Sequence, residues 1–142
     1  MLTLRQRKGL FLTLFATIVL VVACALYTNY DWPVPEAAKR MKNPVQPSAA
    51  VIASARAVYR DKCADCHGET GKGDGPKAAS HHPSPPSFLD YGRMRSVTDG
   101  ELFYRITKGR RPMPAFERRL SDEQRWQLVV LVRAFEATGA PR

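Results

Sequence analysis

The stretch Cys63-Ala64-Asp65-Cys66-His67 constrains this chain more than any other feature of its sequence. Two thiols three positions apart lie about one turn from each other on a helix and so share a face, and the imidazole of the next residue falls beside them. Only three cysteines are present, and an odd number cannot close a disulfide framework within one chain, so Cys24, Cys63 and Cys66 each need an explanation of their own.

Three chemistries use paired thiols at this spacing. A thioredoxin-like redox pair follows a strand inside a βαβ pattern. Here the preceding residues, about 49–61, read as a helix, with Val51, Ala55, Val58 and Tyr59 on one face and Ser48 as its N-cap. A zinc site needs two further ligands at short spacing, whereas the histidines left, His81 and His82, are adjacent to each other and paired with no other cysteine. Haem attachment asks for what is present: each thiol adds to a porphyrin vinyl group and the following imidazole comes under the iron. The motif therefore reads as a covalent haem c site formed by Cys63, Cys66 and His67.

Haem iron that transfers electrons takes six ligands, so a second axial ligand has to come from elsewhere. Met113 is the best placed, because Pro112 and Pro114 stiffen the loop around it directly after a helical stretch, and thioether sulfur favours ferrous iron. His81, His82 and Met94 are the rivals, the histidines standing in a proline-rich loop, and Met41 falls in the linker described below. Core filling is the ordinary role of a lone methionine, but a basic loop between two prolines suits it poorly.

Residues 9–30 carry no charge and, as a helix rising about 1.5 Å per residue, would cross a hydrocarbon core of about 30 Å. Arg5, Arg7 and Lys8 precede this stretch on the side that stays cytoplasmic, and Tyr27, Tyr30 and Trp32 fall at the far interface. The expectation is a signal anchor over 1–30 that places the rest of the chain on the periplasmic side of the cytoplasmic membrane. Two other readings stay open: Val21-Val22-Ala23-Cys24 resembles a lipoprotein signal with Cys24 lipidated, and Ala23-Cys24-Ala25 resembles a signal-peptidase site. Residues 31–48, with Pro33, Pro35, Pro44 and Pro47, read as an extended linker, and 49–142 as the folded domain.

Two capping boxes mark the remaining helices. Thr98-Asp99-Gly100-Glu101 opens one that ends at Gly109, and Ser121-Asp122-Glu123-Gln124 opens a longer one through Trp126, Val129, Val130, Val132 and Phe135 to Gly139. Residues 85–89 read as surface loop, with Phe88 or Leu89 able to pack against the haem. The expected fold is all-α, about four short helices around one covalent haem after a single membrane helix.

At this point the soluble part resembles the class I c-type cytochromes, the small monohaem family with an N-terminal Cys-x-x-Cys-His and a C-terminal methionine ligand. The resemblance covers about residues 49–137. Gly71-Lys72-Gly73-Asp74-Gly75-Pro76 is similar to the glycine-rich loop of bacterial members, and Met113-Pro114-Ala115-Phe116 to their ligand loop. It implies an exported domain with His67 and Met113 as axial ligands, and first and last helices that cross beside the haem, with Tyr59 and Phe135 as crossing contacts. The function expected is one-electron transfer without substrate chemistry, in a respiratory or dehydrogenase chain. No Ser-His-Asp set, carboxylate pair or phosphate loop is legible. A peroxidase or small-gas sensor is the alternative if the sixth position is open.

The net charge of +9 favours acidic partners. Lys108, Arg110, Arg111, Arg118 and Arg119 crowd around Met113, so the expected partners are redox donors and acceptors with acidic docking surfaces, and the membrane, with no nucleic acid; membership of a larger complex is consistent with the tether. The membrane-extracted protein should have the mass of the uncleaved chain plus one haem; a mass starting at a lipidated Cys24 selects the lipoprotein signal instead.

Overall fold

The first capping box places Glu101 where its carboxylate accepts from the backbone N–H of Thr98 while the Thr98 hydroxyl accepts from the N–H of Glu101, and Ser121 and Gln124 repeat the arrangement. Each box satisfies two backbone donors that a helix start leaves without partners. In a computed structural model these signals start helices as expected. The structure describes residues 4–28 and 32–140. Among them the regular structure is helical: α1 Leu4–Thr28, α2 Glu36–Lys39, α3 Ala49–Lys62, α4 Ala64–His67, α5 Tyr91–Met94, α6 Asp99–Lys108 and α7 Asp122–Gly139, with a 3-10 turn at Ala78–Ser80. The all-α expectation holds, with six helices after α1 among the described residues where about four were expected; the additional ones include the single turns α2, α4 and α5.

The chain divides into two units, 1–33 and 34–142. In the first, Leu10, Phe11, Phe15 and Leu20 of α1 are exposed. Side chains of α1 are described at Gln6 and from Lys8 to Cys24, and among the described residues no helix is long and apolar enough to cross a membrane. Tyr27 and Tyr30, expected at the far interface, and Arg5 and Arg7 lie outside the residues whose side chains are described.

In the second unit, α7 carries two apolar stripes. Leu128, Leu131 and Phe135 join Ala55, Tyr59, Ala64, Phe116 and Leu120 in one buried cluster. Trp126, Val129 and Val132 join Met94, Leu102 and Phe103 in the other. Spacings of three and four residues put each set on its own side of the helix, so α7 packs α3 with one side and α6 with the other. Tyr59 and Phe135 meet edge to face with ring centroids 5.3 Å apart, as the expected crossing contacts do, and the Phe103 and Trp126 rings stack at 4.0 Å.

Charged groups lock the ends of this frame. Arg133 donates to Asp99 at 2.7 Å, to Glu136 at 2.7 Å and to the carbonyls of Met94 and Val97, tying α7 to α5 and to the start of α6. The stretch expected to be an extended linker departs from that reading over 34–48. Val34 and Ala38 are buried, Asn43 donates to the carbonyl of Trp126 at 3.1 Å, and Val45 packs on the second cluster. Gly100 makes the approach of α2 feasible, because a Cβ there would collide with the carbonyl of Ala38.

Leu131 is fully buried at the α3–α7 crossing. Leu131→Ala should cost about 3 kcal/mol of stability, seen as a lower denaturation midpoint of the haem-loaded protein. A loss below about 1 kcal/mol would show that the crossing does not carry the fold.

Candidate haem-attachment site

Cys63 ends one helix and starts the next. At φ −124° and ψ −35° it leaves α3 while its N–H still donates to Tyr59 O, and its carbonyl accepts from the N–H groups of Cys66 at 3.1 Å and His67 at 2.9 Å, which begins α4. The turn brings Cys63, Cys66 and His67 together at the end of α3, as expected. Gly68, at φ +76°, closes α4 by donating to Ala64 O.

The electrostatics suit thioether formation and iron ligation. Both thiols are free and half-buried. Burial, helped by the neighbouring Cys66, pushes the Cys63 thiol up to about 12. A thioether in its place is equally uncharged, so attachment adds no buried charge. Burial also pushes His67 down to about 4, which keeps its imidazole neutral, the form that offers a lone pair to a metal. Its Nδ1 is buried with no hydrogen-bond partner, and its ring stacks on Phe88 at 4.8 Å and 15°. A neutral, half-buried imidazole with an unsatisfied nitrogen beside two unbridged thiols fits the haem c donor set.

The glycine-rich loop is folded back onto this turn. Gly73 N donates to His67 O and Lys77 N to Asp65 O, both at 2.8 Å, and the Lys77 ammonium meets the Asp65 carboxylate at 2.6 Å. That ion pair is exposed and contributes little, so the backbone bonds carry the contact. Gly71, at φ +77°, passes between aromatic rings: a Cβ there would stand 2.7 Å from Phe135 Cδ2 and 3.1 Å from Phe88 Cδ2. The position requires glycine for its backbone and for its space.

Met113 stands on a separate element, the loop between α6 and α7. Arg110 and Met113 exchange backbone hydrogen bonds of 2.9 and 2.7 Å, which turns the loop at the two prolines. Farther on, Phe116 N donates to the carbonyls of Ile106 and Thr107 and Glu117 N to that of Thr107, which bonds the loop to α6, while Phe116 and Leu120 pack with Leu128 and Leu131 of α7. Arg125 of α7 reaches Thr107 Oγ1 at 2.6 Å and ties α7 to the end of α6. The Met113 side chain is half-buried and belongs to neither core cluster. Met94 is a core residue of the second cluster; His81 is half-buried and His82 exposed. Among the described residues no three His, Cys, Asp or Glu gather as a metal-binding group, so the further ligands of a zinc site are not in place.

Three contacts were not legible beforehand. The Phe88 ring covers His67, the Tyr59 hydroxyl donates to Gly68 O, and Arg125 ties α7 to Thr107 at the end of α6. The aromatic directly after Pro85-Pro86-Ser87 was a signal for the first, but its partner depends on how the glycine-rich loop folds back.

The family described as cytochrome C oxidase, cbb3-type, subunit III matches residues 50–132. Among solved structures, a chain of the reducing HAO-like protein complex of Kuenenia stuttgartiensis is similar, with a TM-score of 0.57 and 28% sequence identity over 76% of this chain. The match spans 53% of that neighbour, about half its length. No curated protein matches. Such domains hold haem c covalently, and haem-based electron transfer is the function the family implies. Haem should stay with the chain through denaturation and acid extraction, and Cys63→Ala or Cys66→Ala should each sharply lower the yield of haem-loaded protein. Complete loss of haem from the wild type on extraction would refute the attachment. The motif, the helical frame and the match over most of the second unit agree: the chain belongs to the cytochrome C oxidase, cbb3-type, subunit III family and is a c-type cytochrome.

Proposed function

We propose that the chain is a one-electron relay that carries a single haem c on Cys63 and Cys66, with His67 and Met113 as axial ligands. The observation that carries this reading is the α3–α4 turn, which presents two unbridged thiols and a neutral imidazole at one place. Bound haem supplies an iron that accepts and returns one electron. The protein's own part is to hold the ligands, exclude water and orient the exposed edge. For Met113, support comes from the anchored loop, whose backbone bonds to α6 and whose packing of Phe116 and Leu120 against α7 hold it in place whether or not the sulfur is ligated.

The same reading places the domain on the periplasmic side of the cytoplasmic membrane, tethered through 1–30. Apolar side chains exposed along α1, next to basic residues at its start, favour that arrangement over a free shuttle. Partners are redox proteins with acidic docking surfaces. Arg111, Arg118 and Arg119 are exposed on the Met113 loop, while Lys108 is engaged by Glu117 at 2.5 Å, so the docking charge rests chiefly on the arginines. That the similar structure comes from a multi-protein complex supports a role as a complex subunit. In this reading the chain is an electron carrier rather than an enzyme, the role its family implies.

Met113→Ala tests the relay against the sensor or peroxidase alternative. The haem should stay attached while the potential falls and carbon monoxide or cyanide binds more readily. An unchanged spectrum and potential would remove Met113 from the iron and return the sixth position to His81, His82 or Met94.

A further inference from the structure

Tyr59 is among the most deeply buried side chains of the molecule, and its hydroxyl is not spent on packing. It donates to Gly68 O at 2.8 Å, across the end of α4, to the residue that directly follows His67. Burial holds the phenol well above its ordinary pKa, so the hydroxyl remains a donor. Its ring is held edge to face by Phe135, so the position of the hydroxyl is set by the α3–α7 crossing and not by the loop it contacts.

From Gly68 the contact continues to the other side of the imidazole. Gly68 O also accepts from Gly71 N at 3.1 Å, Gly71 O accepts from Phe88 N at 2.7 Å, and the Phe88 ring lies against His67 at 4.8 Å. His67 is thus reached from Tyr59 twice, through the adjoining backbone and through the ring that covers it. Gly71 has no room to shift, since Phe135 and Phe88 close on it from both sides.

We propose that Tyr59 is a positioning residue for the axial histidine: its hydroxyl, through Gly68, Gly71 and Phe88, sets the orientation of the His67 imidazole and so tunes the haem. The inference rests on His67 being an axial ligand. Groups that hold a ligating histidine fix its ring plane and adjust its strength as a donor, and hydrogen bonding around the ligands moves the potential. The sign follows from the dipole. The hydroxyl points its positive end at the Gly68 carbonyl next to the ligand, which disfavours the added positive charge of ferric iron, so its removal favours the ferric form.

Tyr59→Phe keeps the ring against Phe135 and deletes only the hydroxyl. In the haem-loaded full chain we expect the pattern of paramagnetically shifted haem-methyl NMR resonances, which reports the orientation of the axial imidazole, to change. We also expect the ferric-to-ferrous ratio at a fixed electrode potential to rise about threefold, equivalent to about 30 mV for a one-electron couple. An unchanged haem-methyl pattern overturns the proposal, whatever happens to stability, because a merely structural hydroxyl would lower the unfolding midpoint and leave that pattern alone. Phe88→Leu makes the same test from the far end with Tyr59 intact, and it decides the matter if Tyr59→Phe yields too little holoprotein: a shifted pattern supports the relay and an unshifted one refutes it. Failure of the site itself looks different, since a wild-type chain without thioether-linked haem shows no haem-methyl resonances to compare.

Discussion

The packing of α3 against α7 is the contact on which the rest of the molecule depends. Ala55 is small enough to let the helices approach, Tyr59 and Phe135 meet edge to face beside it, and Leu131 is fully buried at the same place. α3 delivers the Cys63–His67 turn, and α7 carries on its second side the residues that seat α6. A displacement of this crossing would therefore move the attachment site and the base of the Met113 loop together.

Around that frame the backbone of the site is held mainly by short main-chain bonds. Gly68, Gly71, Gly73 and Gly75 allow the loop to lie against α4 with no Cβ in the way, and the loop brings Phe88 over His67. Burial performs the electrostatic work as well: it is the largest cause that keeps Cys63 a thiol, helped by Cys66 and Asp61, and it keeps His67 a neutral imidazole. On the Met113 loop Arg111, Arg118 and Arg119 stay exposed, so their charge is carried without burying an ion.

Much of this was legible in the residues because the signals are local. Cys63, Cys66 and His67 announce their chemistry by spacing, Thr98-Glu101 and Ser121-Gln124 by reciprocal capping, and α7 by its apolar residues from Trp126 to Phe135; each depends on neighbours within a turn or two. The reading of 31–48 as linker departed from the structure over 34–48 for the opposite reason. Four prolines describe a chain that cannot propagate a helix, but nothing in them shows that Asn43 finds Trp126 O or that Ala38 finds the gap left by Gly100. Phe88 was in the same position, an aromatic in a proline-rich loop whose partner lies 21 residues away.

Sequence alone determined the haem-binding chemistry of the second unit, its helical class and the starts and stops of its longer helices, since thiol spacing, capping and periodicity act over a few residues. Tertiary structure decided which groups surround the histidine, that 34–48 joins the domain, that Met94 belongs to the core, and that the Tyr59 hydroxyl and the Phe88 ring converge on the His67 turn. Those depend on contacts between residues far apart in the chain, where burial and complementarity of shape choose the partner and local propensity carries no information about it.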